Sequence, residues 1–242
     1  VFVASRRLRA LRLCIGRTIV THSHGTSAPS LPRSQSNDGP RDGPQGTEDW
    51  PASWESARLL IGSRQNVSPK RLAEPGPSAQ QLYALLTLAA TAPDHGLLTP
   101  WRFVIVPVDK RHLLAEVFAL ALIDRDPGAT LEQIEAAREK AHRAPLLMVA
   151  VAFLGPREPD TPALERMVSM GAAIQNLLLG AHALGFGAGL TSGQAMSSPR
   201  LRVLLNLADG EEPVCCLNVG TVSKRKPGQR LRPEPAAVAS WL

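Results

Sequence analysis

Between Ala163 and Leu184 the chain is apolar, rich in Ala and Gly, and carries only Glu165 and Arg166 as charged residues. A helix on a domain surface needs a polar face. This segment lacks one, so it predicts a central, buried helix around which the other elements must pack. Gly185 follows as a left-handed cap.

The flanking sequence supplies those other elements. Trp54, Ala57, Leu60 and Ile61 recur at helical spacing, and Arg64-Gln65-Asn66-Val67-Ser68-Pro69 breaks that helix. Ser78-Ala79-Gln80-Gln81 is a capping box. It opens a helix with Leu82, Leu85, Leu86 and Ala89 inward, stopped by Pro93. Phe103 to Val108, Leu146 to Leu154 and Val214 to Val222 read as strands. Asp109 is placed to cap a helix reaching about Ile123, and Thr130-Leu131-Glu132-Gln133 is a second capping box. Ser198-Pro199 starts a helix to about Leu207. Strands separated by helices exclude a sheet built only of hairpins and predict α+β or α/β.

Charge is uneven along the chain. The net charge of +6 resides in residues 1–37, which hold six Arg and no Asp, Glu or Lys; the remainder carries 21 basic and 21 acidic side chains. A neutral body gives no support to a nucleic-acid face, and no apolar run is long enough for a bilayer. The segment 30–47 is rich in Pro, Gly and Ser and cannot offset its ordering entropy. Residues 1–53 are therefore expected to be a disordered basic arm, and 54–242 the folded domain. The arm's Arg-rich, acid-free start resembles a transit peptide. Because the first Met is Met148, an over-extended gene start is the expected origin of the arm. Contact of the arm with nucleic acid or anionic lipid is a competing reading. Cys215 and Cys216, as strand neighbours, point to opposite faces and are expected to be buried thiols in a reducing compartment. No spacing suggests a metal site.

Four segments carry candidate chemistry. Arg64-Gln65-Asn66 offers a guanidinium suited to phosphate and amides suited to the donor and acceptor edge of a heterocycle. The loop from Ala92 to Phe103 packs two Pro, a Gly and a Trp around Asp94 and His95, which could pair as acid and imidazole. Gly185 to Gly193 leaves a helix rather than a strand, so it is no dinucleotide fingerprint; it reads as a helix C-cap followed by a ligand-side strand, whose glycines permit close approach to a flat ligand. Lys224-Arg225-Lys226 beyond a strand forms a phosphate site or a solvated basic turn.

In this order, the four segments resemble the nitroreductase family, in particular its small NAD(P)H nitroreductases. The likeness is strongest through Arg71-Leu72-Ala73-Glu74-Pro75, Ala92-Pro93-Asp94-His95 and Pro100-Trp101-Arg102-Phe103, then Arg143-Ala144-Pro145 and Val219-Gly220-Thr221. It spans about residues 55–235. The resemblance implies an α+β fold with a central, mainly antiparallel sheet flanked by helices. It also implies an intertwined cytoplasmic homodimer with FMN at the interface. NADH or NADPH would reduce the flavin, and electrons would pass by ping-pong to a small acceptor, a nitro compound, quinone or similar molecule. No catalytic side chain is required, because the cofactor performs the redox step.

By position, the family's flavin segment falls on Arg64, Gln65 and Asn66. His95 matches a position reaching the flavin from the partner subunit, with Thr91 a turn before it. Leu190, Thr191 and Ser192 match a flavin-contact run, and Lys224 and Arg225 the phosphate cations. The sequence departs from the family pattern in Gln65 and Asn66, where Arg and Ser are usual, and in two extra residues before Arg71. Aromatic residues make up only 4%, which predicts an aliphatic substrate pocket. The alternative reading is a flavin-binding or flavin-processing protein without NAD(P)H reductase activity.

Overall fold

The computed structural model describes residues 50–155, 160–224 and 231–241. Most of the expected arm, together with Arg225 and Lys226, lies outside the described residues.

The pivot is strand β3 (Leu146–Phe153), whose alternate side chains are apolar on both faces. Met148, Ala150 and Ala152 join one core cluster, and Leu147, Val149 and Val151 another. Only a sheet covered on both sides rewards that pattern. β5 (Glu211–Val222) lies antiparallel along one edge of β3, and β2 (Trp101–Ile105) along the other. β4 (Gly187–Thr191) and the short β1 (Leu72–Ala73) both pair antiparallel with β5. The register of β5 shifts between Ala150 and Val151, so Val214 is an extra residue and Pro213 sits at an irregularity, where a missing N–H is tolerated.

Helices α2 (Ala79–Ala89) and α5 (Ala163–Ala183) cover one face; α3 (Arg111–Arg125), α4 (Leu131–Arg138) and α6 (Pro199–Leu204) cover the other. This is the expected α+β architecture with an antiparallel sheet between helices. Both capping boxes form, Ser78 with Gln81 and Thr130 with Gln133. α5 is central as expected, and Gly180 shows why it is built of small residues: a Cβ there would lie 2.7 Å from Leu88 Cδ1 and 2.9 Å from Leu85 Cδ2. Its opposite face is less expected. Leu164 and Val168 are 81% and 73% exposed in the single chain.

Some boundaries differ from the sequence reading. β2 starts two residues earlier than Phe103 and ends at Ile105. Asp109 does not cap α3; it lies in a 3-10 turn (Val108–Lys110), and the helix starts at Arg111 without a side-chain cap. The junction is held instead by the buried Arg111, which donates to Val106 O at 2.7 Å and to Ala141 O at 2.7 Å. α6 stops at Leu204, and Asn206 turns the chain with φ 48°. β4 is the strand expected after the Gly185 cap, although Gly187 and Gly189 carry no strand signal of their own. At Gly187 a Cβ would meet Val222 Cγ2 at 2.5 Å.

Cys215 and Cys216 are free and buried in the two opposite core clusters. Burial pushes the Cys215 thiol up to about 11, and the Cys216 thiol, through burial and then Cys215, up to about 12. Both thiols should therefore resist a chromogenic disulfide reagent at pH 8 in a Cys14→Ser background, and react once denaturant is added. Stability should also fall as pH climbs from about 9. There the unfolded thiols ionise while the folded ones keep their protons, so the unfolded state binds fewer protons. Rapid reaction of the folded protein at pH 8 would contradict this picture.

Candidate functional site

α1 (Ala52–Ser63) ends at Arg64, where the backbone turns extended. The next residues run alongside β4. Val67 N donates to Ala188 O at 2.9 Å, Asn66 bridges Ala188 in parallel, and Leu190 N donates to Asn66 Oδ1 at 3.4 Å. Gly189 permits this approach, since a Cβ there would lie 2.2 Å from Val67 O. At the far end of β5, Ser223 donates twice to Arg71 O, from N at 2.9 Å and from Oγ at 3.0 Å. That tie brings Lys224 beside Arg71.

The result is a cavity of about 610 Å³ lined by Arg64, Gln65, Asn66, Arg71, His182 and Lys224 among others, with no Asp or Glu among the described residues that line it. Its floor is apolar backbone and side chain from Leu178 and Phe186 to Ala188. Ser63 Oγ donates to Leu59 O at 2.6 Å and lies 2.8 Å from His182 Nε2, so that nitrogen is assigned as the protonated one. Two guanidinium groups, an ammonium and two amides suit a ligand with a phosphate and a heterocyclic edge. FMN has both, and the residues present fit it. Arg71 and His182 were missed from sequence. Arg71 follows a Lys and precedes a two-residue strand too short to signal itself, and His182 is a lone imidazole in an apolar helix.

Thr191 and Ser192 do not line this cavity. They border a second crevice of about 560 Å³ on the other side of the β4 end, between α3, α4 and the turn Gly193–Met196. Thr191 Oγ1 accepts from the buried Asn218 Nδ2 at 3.1 Å. Leu190 lies between the two, its N–H held by Asn66.

Thr91 and His95 stand apart from both. Thr91, in the turn after α2, donates to Leu88 O at 2.8 Å and accepts from Asn176 Nδ2 at 3.2 Å. His95 Nδ1 lies 2.9 Å from Glu165 Oε2. Asp94 is not its partner: Asp94 Oδ2 accepts from Thr99 N at 2.6 Å and closes the loop instead. His95 thus touches the first turn of α5, whereas Ser63, next to Arg64, touches His182 in the last turn. At 1.5 Å per residue, Glu165 and His182 are roughly 25 Å apart along the helix. One chain does not bring Arg64 and His95 together.

Among the described residues there is no His, Cys, Asp and Glu grouping suited to a metal, and no helix is long and apolar enough to cross a membrane.

The Nitroreductase family model matches residues 68–221. A "Putative NAD(P)H nitroreductase" of Haemophilus influenzae is 32% identical over 165 residues, 68% of this chain and 88% of its own length. "Putative NAD(P)H nitroreductase YdjA" of Escherichia coli K12 is 29% identical over 188 residues, 78% of this chain and all of its own length. In structure, the nitroreductase-like family protein from Bacillus cereus superposes with a TM-score of 0.66 at 20% identity, covering 76% of this chain and 94% of that one. The FMN-dependent nitroreductase NfnB from Mycobacterium smegmatis, solved with NADPH, gives 0.60 at 15% identity, covering 78% and 99%. These two share the fold. Sequence match and architecture agree, and the chain belongs to the nitroreductase family.

Proposed function

We propose that this chain is an FMN-dependent oxidoreductase that works as a homodimer. The observation that carries the reading is the apposition of Arg64-Gln65-Asn66 to β4, which gathers three fixed cations and two amides in one acid-free cavity. Relatives named as NAD(P)H nitroreductases and an FMN-dependent structural neighbour solved with NADPH support the choice of cofactors.

FMN, when bound, supplies the redox chemistry, accepting hydride from NADH or NADPH and delivering electrons to a nitro compound, quinone or similar acceptor by ping-pong. Arg64, Lys224 and Arg225 hold its phosphate. Gln65 and Asn66 offer amide donors and acceptors to its polar edges. The flavin ring would extend past this cavity to Leu190, Thr191 and Ser192 at the end of β4, Thr191 being oriented by Asn218. Thr91 and His95 reach the flavin from the second subunit. Two observations support a dimer: the separation of His95 from Arg64 within one chain, and the apolar side chains Leu164, Val168 and Leu97 left exposed around the His95 end of α5. No protein acid or base is required for the electron transfer.

The test is a visible spectrum of the purified protein, followed by anaerobic NADH or NADPH titration. Flavin absorbance that bleaches on titration is the expected result. Bound FMN that neither nucleotide reduces favours the flavin-binding alternative, and failure to take up added FMN ends the reading. Arg64→Ala should weaken FMN binding about 10- to 150-fold, the equivalent of losing a charge-assisted contact of about 1.5–3 kcal/mol. An unchanged FMN dissociation constant would remove Arg64 from the phosphate site.

A further inference from the structure

We propose that the second crevice, between α3, α4 and Gly193–Met196, binds a small organic anion with an apolar body, an aromatic or branched aliphatic carboxylate. Its lining divides by depth. The floor is buried and apolar: Phe118, Ala137, Leu147 and Cys216 are all under a tenth exposed. The rim is cationic, carrying Lys70, Arg125, Lys140 and Arg143, with Asp126 as the one acid in the lining. Asp126 is engaged locally, its Oδ1 accepting from Gly128 N at 3.1 Å.

The rim cations contrast with several paired arginines elsewhere on the surface. Arg138 reaches Glu116 at 3.0 Å, Arg200 reaches Asp124 at 2.7 Å and Arg102 reaches Glu211 at 2.6 Å. Among the described residues no carboxylate lies within ion-pair distance of Lys70, Arg125 or Lys140, and Arg143 meets Glu139 only at 3.8 Å. Four cations drawn from three separate segments around one concavity leave a positive potential focused on its mouth. A bare inorganic anion would use the rim and ignore the floor; a neutral hydrocarbon would do the reverse. A molecule with a carboxylate at one end and an apolar body at the other uses both, and about 560 Å³ accommodates a small aromatic acid. Gln133 and Gln194 add neutral donors at the same mouth.

The crevice shares Thr191 and Ser192 with the strand end assigned above to the flavin ring, so a role for the anion as electron acceptor rests on that reading. Binding itself does not.

The experiment uses the purified full chain, its visible spectrum recorded first. It is titrated calorimetrically with 4-nitrobenzoate and with its neutral isostere 4-nitrobenzamide, at low ionic strength. The acid should bind about tenfold or more tightly than the amide, the difference expected of a charge-assisted contact. The double variant Arg125→Gln/Lys140→Gln should lose that preference while its flavin absorbance stays as in the parent. Both side chains are exposed, so the fold should tolerate the change; Lys140→Gln alone carries the same test with a smaller drop. Inorganic phosphate should compete weakly. Equal affinity for acid and amide overturns the proposal. So does a preference undiminished in the variants, which would place the anion at Arg64, or phosphate competing as well as the organic acid. Anion preference in a protein that takes up no FMN keeps this site and removes the flavin reading, and FMN without anion preference does the opposite.

Discussion

Replacing Arg111 with Met is expected to destabilise the fold by about 3–5 kcal/mol. The side chain is 3% exposed and donates to four backbone carbonyls: Val106 at 2.7 Å, Ala141 at 2.7 Å, Ala144 at 3.1 Å and Pro145 at 3.0 Å. These carbonyls belong to the exit of β2, the turn after α4 and the entry to β3. One guanidinium therefore joins the exit of β2 to the 141–145 stretch about thirty residues on. Met fills much of the volume but satisfies none of the carbonyls, and each buried acceptor left without a partner costs about 1–3 kcal/mol. Burial also lowers the affinity of Arg111 for its proton, so removing the charge recovers part of a desolvation cost, which is why the expected loss falls short of four full penalties. Arg111→Lys should fall between the two, keeping the charge but lacking the planar fork. Chemical denaturation measures the difference directly, and the melting temperature should drop by roughly 10 °C. A loss below about 1 kcal/mol would mean that water enters and takes over the carbonyls.

That role was invisible in the sequence. Arg111 follows Lys110 at the start of an amphipathic helix, where a cation reads as solvated and even unfavourable beside the positive helix end. Three of its four partners are backbone atoms 30 to 34 residues away, and nothing in a local pattern marks a carbonyl as needing a donor. What was legible has a local physical basis. Ser78 and Thr130 each sit three residues before a Gln, and both capping boxes form because that spacing closes within one helical turn. The charge-free run after Arg166 located the central helix, and the doubly apolar Leu146 to Leu154 located the central strand. β1 and β4 were harder: one is two residues long, and the other opens with glycines that are there for tertiary reasons.

The candidate site was legible in part for the same cause. Arg64-Gln65-Asn66 stood out because three polar side chains ended the helical spacing of apolar residues, and Lys224 because it followed a strand. Their meeting in one cavity depends on the Val67 to Ala188 and Ser223 to Arg71 hydrogen bonds, which are long-range. Asp94 illustrates the converse error. Adjacent to His95 in sequence, it serves the loop backbone at Thr99, while the imidazole finds Glu165 on another helix. In a tight loop a short carboxylate is drawn to nearby backbone N–H groups, as Asp94 is to Thr99, rather than to its sequence neighbour.

Gly189→Ala is the change expected to damage the proposed flavin site most. The added methyl would lie 2.2 Å from Val67 O and 3.2 Å from both Val67 C and Asn66 Oδ1. The first of these is backbone, so no side-chain rotation relieves it. Either β4 leaves β5, or residues 64–67 leave β4. The second is less costly, since β4 shares five paired positions with β5, from Gly187 with Gly220 to Thr191 with Cys216, whereas the 64–67 segment holds by Val67 N to Ala188 O and the long Leu190 N to Asn66 Oδ1 contact. Overpacking of this kind costs about 1–3 kcal/mol of stability. The functional loss should be larger, because Arg64, Gln65 and Asn66 move together. FMN binding should weaken beyond the Arg64→Ala variant, by more than about 100-fold if two charge-assisted or amide contacts are lost at once. Gly62→Ala is the control: it lies in α1 two residues before Arg64, nothing stands within 4 Å of its would-be Cβ, and a helix gains by the change. Equilibrium FMN titration of the two variants, alongside their melting curves, separates the outcomes. A Gly189→Ala protein that melts within a few degrees of the parent and still binds FMN normally would show that the ligand does not depend on the 64–67 segment lying against β4.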